Sequence, residues 1–379
     1  MTSKQISKLI EWKEFAHKFK DSQYQFPNNK AINWFPGHMV RGLRQMQYTL
    51  MKTDCVIEVH DARIPQSGRN ITFKKTVTGN RPHILVLNKQ DLAFGSNKNT
   101  KENLKEISCR KLEIREQIMK REPELSDVMF CSCSDLNSGV KSILPRAIDL
   151  LKTSERYHRE MRPDSNIMII GIPNVGKSTL INHIRKGSLR VKNNALRVGN
   201  KPGVTRTLEN KVRVSGDPLV YLLDTPGIMM PNIKVYLNVI ILRKTGTLLL
   251  QSNLHRTYKI GIFPLQDKHV GMKLAVCGAL KDEQVGEENI ADYLLFALNK
   301  AGNFSYLNYM NIEDHGPQEN SKLMLAKASL ALGWTKSVQD IENGGTKIIP
   351  EWERTASRFL QGFRQGHYGH LILDMETLN

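Results

Sequence analysis

Nowhere in these 379 residues do the ~20 uninterrupted apolar residues that span a bilayer occur. The best run, "VYLNVIILRKTGTLLL" at 235–250, is cut by Arg243 and Lys244, which excludes it as a membrane-crossing helix. Cysteine is sparse too: five residues, at 55, 109, 131, 133 and 277, without a CxxC pair or a histidine spacing suited to zinc. That pattern argues against a zinc site and predicts reduced thiols in an intracellular compartment. Cys131 and Cys133, two apart in "MFCSCSD", are expected on one face of a strand in a buried structural role. The first 20 residues hold no arginine and include Glu11 and Glu14, so "KLIEWKEFAHKFK", though basic, matches a transit peptide poorly. Internal repeats and low-complexity tracts are also missing.

What the chain has in excess is positive charge, 55 Lys+Arg against 37 Asp+Glu, for a formal net charge of +18. Residues 1–234 carry 40 basic against 22 acidic side chains, residues 235–266 carry 4 against 0, and residues 267–379 carry 11 against 15. A basic body with a slightly acidic tail predicts a polyanionic partner, nucleic acid first, with a merely solvated basic surface as the alternative. At 40% hydrophobic and 24% charged the chain is globular rather than disordered. Its length allows two domains of roughly 100 to 200 residues each.

"DCVIEVHDARIP" (54–65) and "PHILVLNKQDL" (82–92) each read as a short buried strand ending in a polar turn. "SNIMIIGIPNVGKSTLINHIRKG" and "VYLLDTPGI" repeat the pattern, and helical spacing fills the stretches between. Strands alternating with helices predict an α/β fold, a mostly parallel sheet with helices on both faces. Past residue 270 the strand signature fades, and "EENIADYLLFALNKAG", "SKLMLAKASLALGW" and "EWERTASRFLQGFRQG" predict a smaller all-α domain.

"GIPNVGKS" (171–178) satisfies GxxxxGK[ST] in a strand-loop-helix context. Backbone N–H groups from Asn174 through Val175 and Gly176 to Ser178 would converge on a phosphate at the positive end of the following helix. Lys177 would bridge β- and γ-phosphates, and the Ser178 hydroxyl would ligate Mg²⁺. In "DTPG" (224–227) Asp224 would hold the same ion through water and the Gly227 N–H would reach the γ-phosphate. Thr205 of "KPGVTRT" lies where a loop can close over the metal when γ-phosphate is present. "NKQD" selects the base: Asp91 accepts from guanine's N1–H and 2-amino group, Asn88 bonds the O6/N7 edge, and the Lys89 stem covers the ring. ATP would leave the Asp91 carboxylate unpaired.

These elements come in an unusual order, the base reader preceding the phosphate loop. Joining the old termini of a domain and cutting elsewhere keeps the same sheet, so the expected fold is a circularly permuted P-loop GTPase domain. The position after DTPG, where many GTPases place a water-orienting glutamine, is Ile228, which predicts slow intrinsic hydrolysis.

"WFPGHM" (34–39), "DARIPQSGRN" (61–70), "NKQD", "GIPNVGKST", "PGVTR" and "DTPG", in this order, resemble the circularly permuted ribosome-assembly GTPases related to bacterial ribosome-biogenesis GTPase A, and within them a mitochondrial branch. The likeness covers nearly the whole chain, including "GEENIADYLL" and "FLQGFRQGHYGHLILD". It implies GTP hydrolysis coupled to maturation of the mitochondrial large ribosomal subunit, with its rRNA as partner, at the matrix side of the inner membrane and with peripheral membrane association. It further implies His38 as the substitute for the missing glutamine, Asn174 as a K⁺ ligand, and Ser132, Cys133 and Thr179 among the GTP-binding positions. Two other readings stand beside it: a GTP-dependent signalling switch with a protein effector, and a nucleolar or cytosolic assembly GTPase.

The expected layout is an N-terminal extension of weak targeting character at 1–30, the GTPase domain at 31–234, an atypical insert at 235–266, and the helical domain at 267–379. The insert has no acidic residue and no motif. Its ends, Lys-Val-Tyr and Phe-Pro-Leu-Gln, can encode a splice donor and acceptor, so it reads as an intron retained in frame; the alternative is a lineage-specific loop.

Overall fold

The computed structural model describes residues 3–20, 22–26, 48–69, 81–95, 101–135, 138–154, 162–191, 193–196, 211–225, 268–340 and 345–375. The chain forms two compact units, one of residues 31–274 with 374–379, the other of residues 1–30 with 275–373.

The larger unit is built on six strands: β1 (Cys55–Asp61), β2 (His83–Asn88), β3 (Asp127–Phe130), β4 (Asp164–Ile170), β5 (Lys211–Gly216) and β6 (Leu219–Asp224). They lie in the order β3-β2-β1-β4-β6-β5. All neighbours are parallel except the edge pair β5 and β6. Every residue of β1 and β2 is buried, so the aliphatic runs "CVIEV" and "HILVL" bear apolar side chains on two covered faces. Edge strand β5 instead alternates buried Val212 and Val214 with exposed Lys211 and Arg213, the signature of one wet face. Helices α2 (Gln90–Phe94), α3 (Lys101–Arg121), α4 (Val140–Thr153) and α5 (Lys177–Leu189) belong to this unit, and α4 turns Val140, Ile143, Leu144, Ala147 and Leu151 inward at helical spacing. The expected α/β fold with a mostly parallel sheet is the one observed.

The polar turns after the buried strands gather at one end of the sheet, where ligands bind in parallel α/β folds. The loop after β1 is fixed there by buried charge. Arg69 donates to both oxygens of Glu58 at 3.0 and 3.2 Å and to Glu122 at 2.7 and 3.0 Å. From the end of the chain, fully buried Asp374 accepts from the Gln66 and Ser67 backbone N–H groups, the Ser67 hydroxyl and the Lys273 ammonium.

The smaller unit differs from expectation twice. Residues 1–30 are no separate extension but part of this unit. Helix α1 (Ser3–Lys20) sets Trp12 and Phe15 edge-on to Phe304 and Phe19 edge-on to Phe296, and the Tyr24 hydroxyl donates to Asp292 at 2.6 Å. The unit is also not all-α. Between its helices it carries an antiparallel hairpin of β7 (Thr335–Asp340) and β8 (Gly345–Pro350). The last helix (Trp352–Gln365) buries Thr355, Ala356, Phe359, Leu360 and Phe363 on one stripe and ends at Gly366, whose φ of 86° suits a left-handed cap. The division between units falls at 274/275, inside the helix Lys268–Val276.

Candidate functional site: a guanine-nucleotide pocket

The loop from Gly171 to Gly176 leaves β4 and becomes α5 at Lys177. Two of its glycines are obligatory. A Cβ at Gly171 (φ 150°) would meet the Val59 carbonyl oxygen at 2.1 Å, and one at Gly176 (φ 94°) would meet Asn88 Nδ2 at 2.5 Å. Asn174 adopts φ 59°, a left-handed conformation that asparagine accepts more readily than most residues. With α5 starting immediately after, its first N–H groups face the loop, and Ser178 and Thr179 occupy the helix's first turn.

Lys177 is buried, and its ammonium donates to the Gly171 and Ile172 carbonyl oxygens at 3.1 and 2.9 Å. Burial pushes its pKa down to about 8, against the pull of nearby Asp224. Asp224, at the end of β6, accepts from the Ser178 hydroxyl at 2.9 Å through one oxygen, while its other oxygen is buried without a hydrogen-bond partner. Burial raises the Asp224 carboxyl above its ordinary value, opposed by Lys177, Ser178 and the Thr225 N–H. A hydroxyl beside a buried, half-satisfied carboxylate fits a hard divalent cation held by few protein ligands and water, which is how Mg²⁺ binds. GTPases of this class generally use Mg²⁺.

The base reader sits beside this cradle. Asn88, paired in register with Asp61 of the neighbouring strand, donates through Nδ2 to the Val175 carbonyl at 2.7 Å. Its Oδ1 receives the Cys133 N–H at 3.2 Å. Asp91 accepts from Ser132 Oγ at 2.5 Å and Ser134 Oγ at 2.9 Å. Gln90 donates to the Ser138 hydroxyl at 2.6 Å, tying the NKQD segment to the residues just before α4. Asn88, Asp91, Ser132 and Cys133 are therefore together, and Asn88 ties them to the phosphate loop. Cys131 and Cys133 do not share a strand face: β3 ends at Phe130 and both lie in the turn after it, Cys131 buried and Cys133 half-buried. The stretch is hydrogen-bonded to Asn88 and Asp91, and its turn geometry overrides a strand pattern.

Four residues beside these groups have no role in a motif reading: Ser134, Gln90, and Asp61 and Arg63 of "DARIP". Their signal was positional, polar residues in the turns after buried strands at the ligand end of the sheet. His38, Thr205, Gly227, Ile228 and the 235–266 segment lie outside the described residues.

A phosphate cradle, a metal-side carboxylate and a guanine reader at the carboxyl ends of a mostly parallel sheet define a P-loop GTPase. A family model described as 50S ribosome-binding GTPase matches residues 166–300. The chain is 39% identical over 350 residues to Mitochondrial GTPase 1 of Aedes aegypti, covering 92% of this chain and 95% of that one. It is 38% identical over 359 residues to Mitochondrial ribosome-associated GTPase 1 of Mus musculus, covering 94% of each. To Ribosome biogenesis GTPase A of Bacillus pumilus it is 32% identical over 263 residues, covering 69% of this chain and 73% of that one. The chain belongs to the family of mitochondrial ribosome-associated GTPase 1, and it binds and hydrolyses GTP.

Proposed function

We propose that the protein is a GTP-driven assembly factor for the mitochondrial large ribosomal subunit, docking on immature rRNA in the GTP form and leaving after hydrolysis. What supports this is the gathering of the NKQD and phosphate-loop residues at one end of the sheet, in a chain whose first 234 residues hold 40 basic against 22 acidic side chains. That excess suits RNA phosphates, and the names of the relatives point the same way. The site of action is the matrix side of the inner membrane, by peripheral association; among the described residues no helix is long and apolar enough to cross a membrane.

The GTPase unit is a circular permutation. The base-reading strand β2 precedes the phosphate-loop strand β4 in the chain, yet Asn88 and Val175 are hydrogen-bonded neighbours. Cutting the chain between the two motifs leaves their contact untouched. Since Ile228 cannot orient water, His38 supplies that function, and Thr205 and the Gly227 N–H complete the γ-phosphate and metal contacts. Bound Mg²⁺ would neutralise charge between the β- and γ-phosphates, with Ser178 and Asp224 on its protein side. Asn174, whose side-chain carbonyl is a neutral oxygen of the kind K⁺ prefers, would hold that ion, which would supply further positive charge at the phosphate site.

Residues 235–266 are a retained intron that interrupts the segment after DTPG. The test of the whole reading is pelleting with mitochondrial large-subunit precursors, with the chain as given and with a chain lacking 235–266. Retention is expected with a non-hydrolysable GTP analogue and not with GDP, stronger for the shortened chain, and falling steeply as salt rises. Equal retention in GTP and GDP states, or none at any salt, sinks the assembly-factor reading. Equal behaviour of the two chains sinks the claim that the insert is foreign.

A further inference from the structure

In the proposed base reader three side chains would meet guanine, and the structure shows what holds two of them. Asn88 is fixed by Val175 and Cys133, and Asp91 by Ser132 and Ser134. The third, Lys89, is a long, half-buried chain with high rotamer entropy, on a backbone in the left-handed region (φ 61°, ψ 36°). Its ammonium lies 3.1 Å from Asp61 Oδ2.

An ordinary surface Lys–Asp bridge is worth little, because two mobile side chains must be ordered to make it. Here one partner is already immobile. Arg63 grips Asp61 through Nε at 3.0 Å, Nη2 at 2.8 Å and its own backbone N–H at 3.0 Å, and both residues are 1% exposed. Strand register puts Asp61 directly beside Asn88, and the Ala62 N–H donates to the Asn88 carbonyl at 2.8 Å, so the carboxylate stands level with the NKQD turn. Burial alone would raise the Asp61 carboxyl, but Arg63 and Lys89 hold it well below the usual carboxylate range, so it is charged at neutral pH.

We infer that Asp61 is a positioning residue for the nucleotide base: it tethers the Lys89 ammonium and so fixes the methylene stem that covers the guanine ring. The inference rests on Lys89 belonging to the base reader. With the tether, all three reader side chains are in place before nucleotide arrives, and binding orders none of them. Asp61 touches no substrate and acts through Lys89 alone.

The experiment is a double-mutant cycle on the full chain, reading fluorescent GDP affinity and the KM and kcat for GTP, with nucleotide-free thermal unfolding as the fold control. Asp61→Asn is expected to weaken GDP binding roughly 2- to 12-fold, the cost of ordering one long side chain, with the loss falling on KM more than on kcat. Lys89→Met is expected to weaken binding at least as much. In the Lys89→Met background Asp61→Asn adds no further loss, because the group it positions is gone. Should Asp61→Asn leave Arg63 buried without its counter-charge and fail to fold, Asp61→Asn with Arg63→Met removes both charges and runs through the same cycle. The tether is overturned if the Asp61 change costs the same factor with and without Lys89, or costs nothing where Lys89→Met costs binding. If Lys89→Met binds GDP like the parent, Lys89's place in the base reader falls, and the tether with it.

Discussion

Replacing Asp91 by Asn lowers GTP affinity by roughly 10³-fold or more, the scale on which a site built around a substrate's hydrogen bonds rejects a partner that cannot make them. In the proposed site, guanine's N1–H and 2-amino group would both donate to the Asp91 carboxylate. An amide there keeps one acceptor and turns the other position into a donor, which confronts the 2-amino group with a second N–H. Xanthine carries a carbonyl at that carbon, so the same variant is expected to gain xanthosine triphosphate as its preferred nucleotide. The pocket tolerates the exchange, because Ser132 and Ser134 meet Asp91 through hydroxyls, which can reverse from donor to acceptor. Competition of both triphosphates against fluorescent GDP measures it. Unchanged GTP affinity in a folded Asp91→Asn protein would remove Asp91 from the base site.

The second large effect is at Lys177. Lys177→Met is expected to cut kcat/KM for GTP by roughly 10²- to 10³-fold, the loss seen when one donor to developing charge is removed. The parent should also show a pH dependence that identifies the group. Burial puts the Lys177 pKa near about 8 in the nucleotide-free protein, and phosphate charge raises it in the complex. Below pH 8 the ammonium is already formed and affinity is flat. Above pH 8 binding must take up a proton, so affinity falls, approaching tenfold per pH unit. Affinity measured from pH 7 to 9.5 reads this directly, and the Lys177→Met protein should keep only the decline at the top of this range that comes from ionisation of guanine N1–H. A parent profile that is flat or rising through this range contradicts the assignment.

Much of this site is legible in the sequence because its chemistry is local. A phosphate loop needs glycines where the backbone turns left-handed or approaches another chain, and Gly171 and Gly176 are such places. Buried parallel strands need near-continuous apolar runs, and "CVI", "ILVL" and "IMII" provide them. What escaped depends on distant contacts. Nothing in "KLIEWKEFAHKFK" says that Trp12, Phe15 and Phe19 meet Phe304 and Phe296 nearly 300 residues away. Their spacing fits an amphipathic helix but gives it no partner. The hairpin is legible in principle: "TKSVQD" and "TKIIP" flank an Asn343-Gly344-Gly345 turn signal, which the stronger helical patterns on either side mask. The grip of Asp374 on Gln66 and Ser67 joins positions more than 300 apart, which spacing rules do not reach.

The central claim is that GTP hydrolysis here is slow alone and gated by the ribosomal particle. It is tested most directly by the rate of phosphate release with and without purified mitochondrial large-subunit assembly intermediates, for the chain as given and for a chain lacking 235–266, in K⁺ and in Na⁺. The account predicts stimulation by an order of magnitude or more, larger without the insert and larger in K⁺. It is contradicted if both chains bind GTP normally and neither is stimulated by any particle, which would favour a switch that reads out to a protein effector instead.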